Sequence, residues 1–127
     1  MPQRSSAMPI KQLTHFFIRH EGKHVRINAT EICYIEARKN YSRIVTVSGV
    51  YFTLVPLKRF EALLPSADFQ RIHRAFLIAL SWMKAFDLRH VYGQGETLPI
   101  GETYRQVLLD SVTVLRDERK NPVAELH

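Results

Sequence analysis

What most constrains this chain is how soon each extended run meets a turn. In "HFFIRHEGKHVRIN" two short runs flank Glu21-Gly22-Lys23, and Val25 and Ile27 alternate with His24, Arg26 and Asn28. That is the two-residue period of a half-buried strand beside a hairpin turn. "RIVTV" and "VYFTLV" repeat the pattern around Ser48-Gly49, and "WMKAFDLRHVYGQGETLPI" reads as two strands around Gly93-Gln94-Gly95, with Pro99 at an edge or strand end. Such punctuation favours small antiparallel sheets.

Two further stretches complete the sheet reading. "ICYIEA", Ile32 to Ala37, is apolar on both alternations until Glu36 and so is expected to be a central strand covered on both faces. In "FQRIHRAFLIAL", Phe69, Ile72, Phe76 and Ile78 look like core, interrupted by Arg71, His73 and Arg74.

Helices are few. "PLKRFEALLP" starts on Pro56, aligns Leu57, Phe60, Leu63 and Leu64, shows Lys58, Arg59 and Glu61 to solvent, and stops at Pro65. A C-terminal helix is expected from Gly101, with Tyr104, Val107, Leu108 and Leu115 on one face and Glu102 at its positive end. The fold class is therefore mainly β with short helices and a C-terminal helix.

At 127 residues, 46% hydrophobic and 24% charged, the chain is sized for one domain with a real core. Residues 14–116 are expected to form it, residues 1–13 to be a flexible lead or linker stub, and 117–127 a fraying tail. The single cysteine, Cys33, lies in an apolar run, which excludes an internal disulfide and suits a buried thiol in a reducing compartment. "MPQRSSAMPIKQL" lacks the apolar region of a secretory signal, and "FLIAL" is far too short to span a bilayer. The expectation is a cytoplasmic protein without a membrane segment.

Catalytic and metal patterns are sparse. His20 and His24 are four apart, as in a helical zinc pair, but their surroundings read as strand and turn without an acidic or cysteine partner. Nothing local activates Cys33, and no nucleophile elbow, phosphate-cradling glycine loop or carboxylate pair stands out. The chain reads as a binding protein that needs no cofactor.

Charge suggests what it binds. The net charge is +6, and residues 1–80 carry twelve Lys/Arg against five Asp/Glu, whereas residues 81–127 carry six against seven. An anionic partner follows, nucleic acid or an anionic membrane surface. In "RKNYSR", Arg38, Lys39 and Arg43 surround Asn40, Tyr41 and Ser42, groups that grip phosphates or base edges. Taken alone, that hexapeptide is better explained as a solvated turn on a basic protein. Arg71, His73 and Arg74 form a second basic interruption, in which His73 also suits a core histidine bonded to backbone.

In order and spacing, "YIEARKNYSRI", "PLKRFEALLP", "FQRIHRAFLIAL" and "LPIGETYR" resemble the LytTR family, the DNA-binding output domain of many bacterial response regulators. The resemblance runs from about Phe16 to Leu115. It implies an elongated arrangement of small, mostly antiparallel sheets whose loops, rather than a recognition helix, enter successive major grooves of double-stranded DNA. It also implies repeated half-sites, a homodimer on DNA and an upstream sensor or receiver protein.

Carried over by position, the resemblance makes Ser42 a base contact, with Lys39, Asn40, Tyr41 and Arg43 as phosphate or flanking contacts. Arg74, directly after His73, matches the second reading position. The third usually comes from a basic residue after an "LPVS" pattern, where this chain has Gly101 and Glu102. Glu102 is then expected to change specificity by accepting from cytosine, to point away, or to weaken binding, while Arg105 one turn later restores positive charge. Ala79 stands where the family prefers Asn. The competing expectation is a protein-interaction module on the same scaffold that has lost DNA reading. Residues 1–13 are too few for a receiver domain, so the chain is a free-standing LytTR protein or a fragment of a longer regulator.

Overall fold

A computed structural model describes residues 12–116. The expectations for 1–11 and 117–127 lie outside the described residues; Leu13, at the end of the expected lead, donates its N–H to the Leu63 carbonyl at 2.7 Å. Ten strands form three antiparallel sheets. β1 (His15–His20) and β2 (Lys23–Asn28) make a two-stranded ribbon; a 3-10 turn at Ala29–Glu31 leads into β3 (Ile32–Ala37). β4 (Ser42–Thr46), β5 (Gly49–Thr53), β6 (Phe69–His73) and β7 (Phe76–Ala79) join β3 in a five-stranded sheet ordered β5-β4-β3-β7-β6. β8 (Ala85–Phe86), β9 (His90–Gly93) and β10 (Glu96–Pro99) form the third. The fold is mainly β with small antiparallel sheets, as its punctuation implies.

The middle sheet has two covered faces. On one, Ile35, Ile44 and Leu77 pack with Leu57, Phe60 and Leu64 of helix α1 (Leu57–Leu63) and its end, and with Ile18 and Ile27 of the ribbon. On the other, Tyr34, Ile72 and Ile78 meet Val91 and Leu98 of the third sheet and Leu108 of helix α2 (Arg105–Ser111). β3 is the central strand expected of "ICYIEA". A bulge at Cys33, between the Ile32↔Thr46 and Tyr34↔Val45 pairs, changes the alternation, so that Ile32 joins Ile35 on the α1 side. Burying an isoleucine such as Ile35 contributes about 1.5–3 kcal/mol.

Local chemistry explains most ends. Glu21 (φ 51°) and Gly22 (φ 78°) both take the left-handed conformation, the requirement of a tight turn matched to strand twist. α1 stops because Leu64 precedes Pro65 and is driven into extended backbone (ψ 152°).

Three expectations need correction. The β4–β5 turn is Val47-Ser48 rather than Ser48-Gly49, since Gly49 pairs with Thr46 as the first residue of β5. The Thr46 hydroxyl accepts the Ser48 and Gly49 N–H groups at 3.2 and 3.1 Å, so a side chain closes the turn without any positive φ. The third sheet has a third strand, β8, in addition to the two expected, with Pro99 ending edge strand β10. The C-terminal helix begins as a 3-10 turn, Glu102–Tyr104, and ends at Ser111. Its buried residue is Leu108, whereas Val107 is exposed and Leu115 lies beyond the helix, 90% exposed. Val112 has already turned extended (φ −128°, ψ 163°), which ends the helical period before it reaches Leu115.

Candidate nucleic-acid interface

Three segments from distant parts of the sequence meet at one edge of the sandwich. The Ala37 N–H donates to the Ala75 carbonyl at 2.8 Å, joining the loop after β3 to the β6–β7 hairpin tip. The Gly101 N–H donates to the Ile72 carbonyl at 2.7 Å, joining the entrance of α2 to the same hairpin. Gly101 has little room for a side chain, because an added Cβ would meet the Tyr104 ring at 3.0 Å and His73 Cα at 3.6 Å.

In the first segment, the Arg38 N–H donates to the Tyr41 carbonyl at 2.7 Å, which lifts Lys39 and Asn40 to the apex. Both are exposed. Glu36 takes Arg38 on one oxygen at 3.5 Å and Arg43 on the other at 3.3 Å, the latter a direct cross-strand pair. Arg43 also donates to the Tyr34 hydroxyl at 3.4 Å, and that contact raises its already high pKa. The Tyr34 hydroxyl itself is pushed up to about 12 by burial and by the Glu96 carboxylate, so it stays protonated. The Tyr41 ring stands edge-on to Phe52, centroids 5.4 Å apart.

Ser42, expected at a base-contacting position, is held within the fold. It is 2% exposed, and its hydroxyl donates to the Val55 carbonyl at 2.7 Å. Its first function is to fasten the loop to the chain leaving β5, because β4 pairs with both neighbours and faces this hydroxyl inward.

In the second segment, a bulge at Ile72 separates the Arg71↔Leu77 and His73↔Phe76 pairs, leaving Arg74 and Ala75 as the tip. Arg74 is exposed. Arg71 is folded inward, its side chain 15% exposed: it donates to Glu61 at 2.6 Å, to the His73 carbonyl at 3.0 Å and to the Arg74 carbonyl at 2.6 Å. His73 Nδ1 accepts the Ala75 N–H at 3.0 Å, which puts the neutral ring's proton on Nε2. His73 is bonded to backbone through this nitrogen.

In the third segment, Glu102 is exposed and, among the described residues, makes no side-chain hydrogen bond or ion pair. Arg105 does not turn toward it with its Nε, which donates to the Leu88 carbonyl at 2.6 Å and ties α2 to the β8–β9 loop. In that loop Asp87 accepts the Tyr92 hydroxyl at 2.7 Å and the Arg89 and His90 N–H groups at 2.8 Å each. Those donors hold its carboxyl down to about 2. The Arg89 carbonyl accepts the Ile100 N–H at 2.8 Å, which brings a further exposed cation beside the third segment.

The LytTr DNA-binding domain family matches residues 22–112, a span that contains all three segments. This chain belongs to that family. It is 32% identical to the CO-responsive transcriptional regulator RcoM of Rhodospirillum rubrum over 59% of this chain, and spans 35% of that protein's length. The fold matches a structure titled as the LytTr DNA-binding domain of a methyl-accepting/DNA response regulator from Bacillus cereus, with a TM-score of 0.70, 19% identity, and coverage of 78% of this chain and 96% of that one.

Within this LytTr domain the charges sort into two kinds. Arg38, Arg43 and Arg71 are paired with Glu36 or Glu61, whereas Lys39, Arg74 and Arg89 have no ion-pair partner among the described residues. Sequence reasoning missed Arg89, which lies in a loop remote from both basic clusters, and missed the two carboxylates as organisers. Glu36 was findable, since β3–β4 pairing sets it opposite Arg43. Glu61 carried no comparable signal beyond its place on the polar face of α1.

Cys33 is partly buried, and burial with the Glu96 carboxylate raises its pKa, which keeps the thiol protonated. Among the described residues no group of three or more His, Cys, Asp or Glu side chains forms a metal-holding cluster, and no helix is long and apolar enough to cross a membrane.

Proposed function

We propose that this LytTr domain is a transcription regulator's sequence-reading module, which binds duplex DNA with the edge formed by residues 38–41, 74–75 and 101–102. The single observation that carries the reading is the junction of these segments through the Ala37–Ala75 and Gly101–Ile72 backbone hydrogen bonds. It puts the exposed Lys39, Asn40 and Arg74 on one edge, with Arg89 alongside. Loops of this kind enter successive major grooves, and two protomers occupy repeated half-sites. Arg74 reads a base, for which a guanidinium fork suits the O6 and N7 of guanine. Lys39 and Arg89 contact phosphates, and Tyr41 and Asn40 flank them.

A binding titration tests this, using a duplex selected from a random pool and a random-sequence duplex across a salt series. The two phosphate-contacting cations imply a slope of roughly −2 per protomer in log affinity against log salt. Arg74→Ala is expected to cost about 1–3 kcal/mol on the selected duplex and to relax discrimination at one base position. Lys39→Ala is expected to weaken both duplexes alike and to reduce the slope by about one. Equal losses on both duplexes for the two variants would reduce Arg74 to a phosphate clamp.

A second reading, a protein-interaction module on the same scaffold, draws on exposed Phe17, Phe52 and Leu54, which line a groove of about 810 Å³ beside Tyr41. Absence of any retarded duplex at low salt would favour it.

A further inference from the structure

We infer that Glu61 and Arg71 are positioning residues for sequence reading, a relay from helix α1 that sets the attitude of Arg74 without touching DNA. This rests on the DNA-reading role proposed above.

The inference starts from what Arg71 does with its guanidinium. Its three nitrogens serve three different acceptors: Nη1 goes to Glu61 Oε1 at 2.6 Å, Nε to the His73 carbonyl at 3.0 Å, and Nη2 to the Arg74 carbonyl at 2.6 Å. The two carbonyls belong to the residues that turn the β6–β7 hairpin. Glu61 anchors the far side of the fork on a different element, α1, whose apolar face is locked into the core through Leu57 and Phe60. Because a guanidinium is planar, fixing one side at Glu61 fixes the direction in which the other side holds the tip. Lysine has the charge but not the fork.

The tip needs such a hold. The ladder breaks at the Ile72 bulge just before it, and Arg74 and Ala75 have no partners within the hairpin, Ala75 being tied outward only through its carbonyl to the Ala37 N–H. The His73 ring pins Ala75 from one side, and Arg71 pins the Arg74 carbonyl from the other. The exposed Arg74 side chain then leaves from a backbone whose two neighbouring polar groups are already held.

The relay makes opposite-sign predictions for one substitution. Glu61→Ala removes a surface carboxylate, which on charge alone tightens every duplex. The relay instead predicts that Glu61→Ala binds the random-sequence duplex slightly more tightly but the selected duplex several-fold more weakly. Arg71→Lys keeps the charge, so it is expected to lose about tenfold on the selected duplex while the salt slope holds. Its loss is also expected to vanish in an Arg74→Ala background, since both changes then remove the same contact. If Arg71→Lys folds poorly, Glu61→Ala alone carries the test, because Glu61 is 44% exposed and outside the core.

Tightening of both duplexes by Glu61→Ala, or losses for Arg71→Lys and Arg74→Ala that add, would overturn the relay while leaving DNA reading intact. A fall of about one in the salt slope for the charge-removing Arg71→Gln would do the same, by making Arg71 a phosphate contact. A wild-type chain that enriches no duplex from the random pool would overturn DNA reading itself and the relay with it.

Discussion

Replacing Ser42 with alanine separates two accounts of the loop that follows β3. The hydroxyl is buried, 2% exposed, and donates to the Val55 carbonyl at 2.7 Å. Its net hydrogen-bond contribution is about 1 kcal/mol, and the acceptor left behind adds a penalty that is fuller the drier its surroundings. Val55 is half-buried, so water recovers part of that penalty. The expected cost of Ser42→Ala is therefore about 1–2 kcal/mol. With a urea dependence of roughly 1–1.5 kcal/mol per molar, the unfolding midpoint falls by about 1 M at unchanged slope. Equilibrium unfolding followed by circular dichroism reads this directly. Binding of the selected duplex, measured well below the transition, is expected to fall only as far as Lys39 and Asn40 lose their mounting. A Ser42→Ala protein with the wild-type midpoint and lost discrimination at one base would refute the buried-anchor account and return Ser42 to the role of a base contact.

The remaining expectations concern the supporting structure. Asp87 has a folded pKa of about 2, below its unfolded value of about 3.9, so its turn is favoured fully above about pH 4 and loses that support as pH falls through about 2. Tyr92→Phe removes the largest cause and is expected to raise the Asp87 value, read from its carboxyl chemical shift against pH. In Gly93→Ala the new methyl would overlap the Trp82 ring, which also packs on Tyr34 at 5.2 Å; a cost of about 1–3 kcal/mol is expected, with a shift in emission of this only tryptophan. Glu21 holds a left-handed φ of 51° before Gly22, a conformation asparagine tolerates better, so Glu21→Asn is expected to raise stability by about 0.5–1 kcal/mol in urea unfolding.

Legibility in the sequence follows the range of the interaction that decides each feature. The β1–β2 hairpin and helix α1 are set by neighbours, by Glu21-Gly22 and by the proline pair at 56 and 65, and both are readable from the sequence. The β4–β5 turn slips by one residue because the Thr46 side chain outweighs the Ser-Gly signal. The C-terminal helix is misread because Leu115 fits a helical period that Val112 has already ended. The internal bonds of Ser42 and Arg71 are illegible for another reason: a serine or an arginine in a basic stretch looks the same whether its polar atoms face solvent or are held within the fold, and only the partner, Val55 or Glu61, distinguishes the two.

That distinction changes what the positive charge means. A net charge of +6 and two basic clusters suggest affinity through number of cations. In the folded chain Glu36 and Glu61 already hold three of those arginines, and each of these pairs stiffens a loop instead of offering a charge. At the edge where the three segments meet, the exposed cations without an ion-pair partner among the described residues are Lys39 and Arg74, with Arg89 alongside, on segments joined by backbone hydrogen bonds. A cation on a stiff mount loses less freedom on contact than one on a floppy loop. Glu36 and Glu61 therefore act on loop geometry by holding arginines beside the edge, and Glu102, which is exposed and holds no cation, is the one carboxylate of the three segments to which that account does not extend.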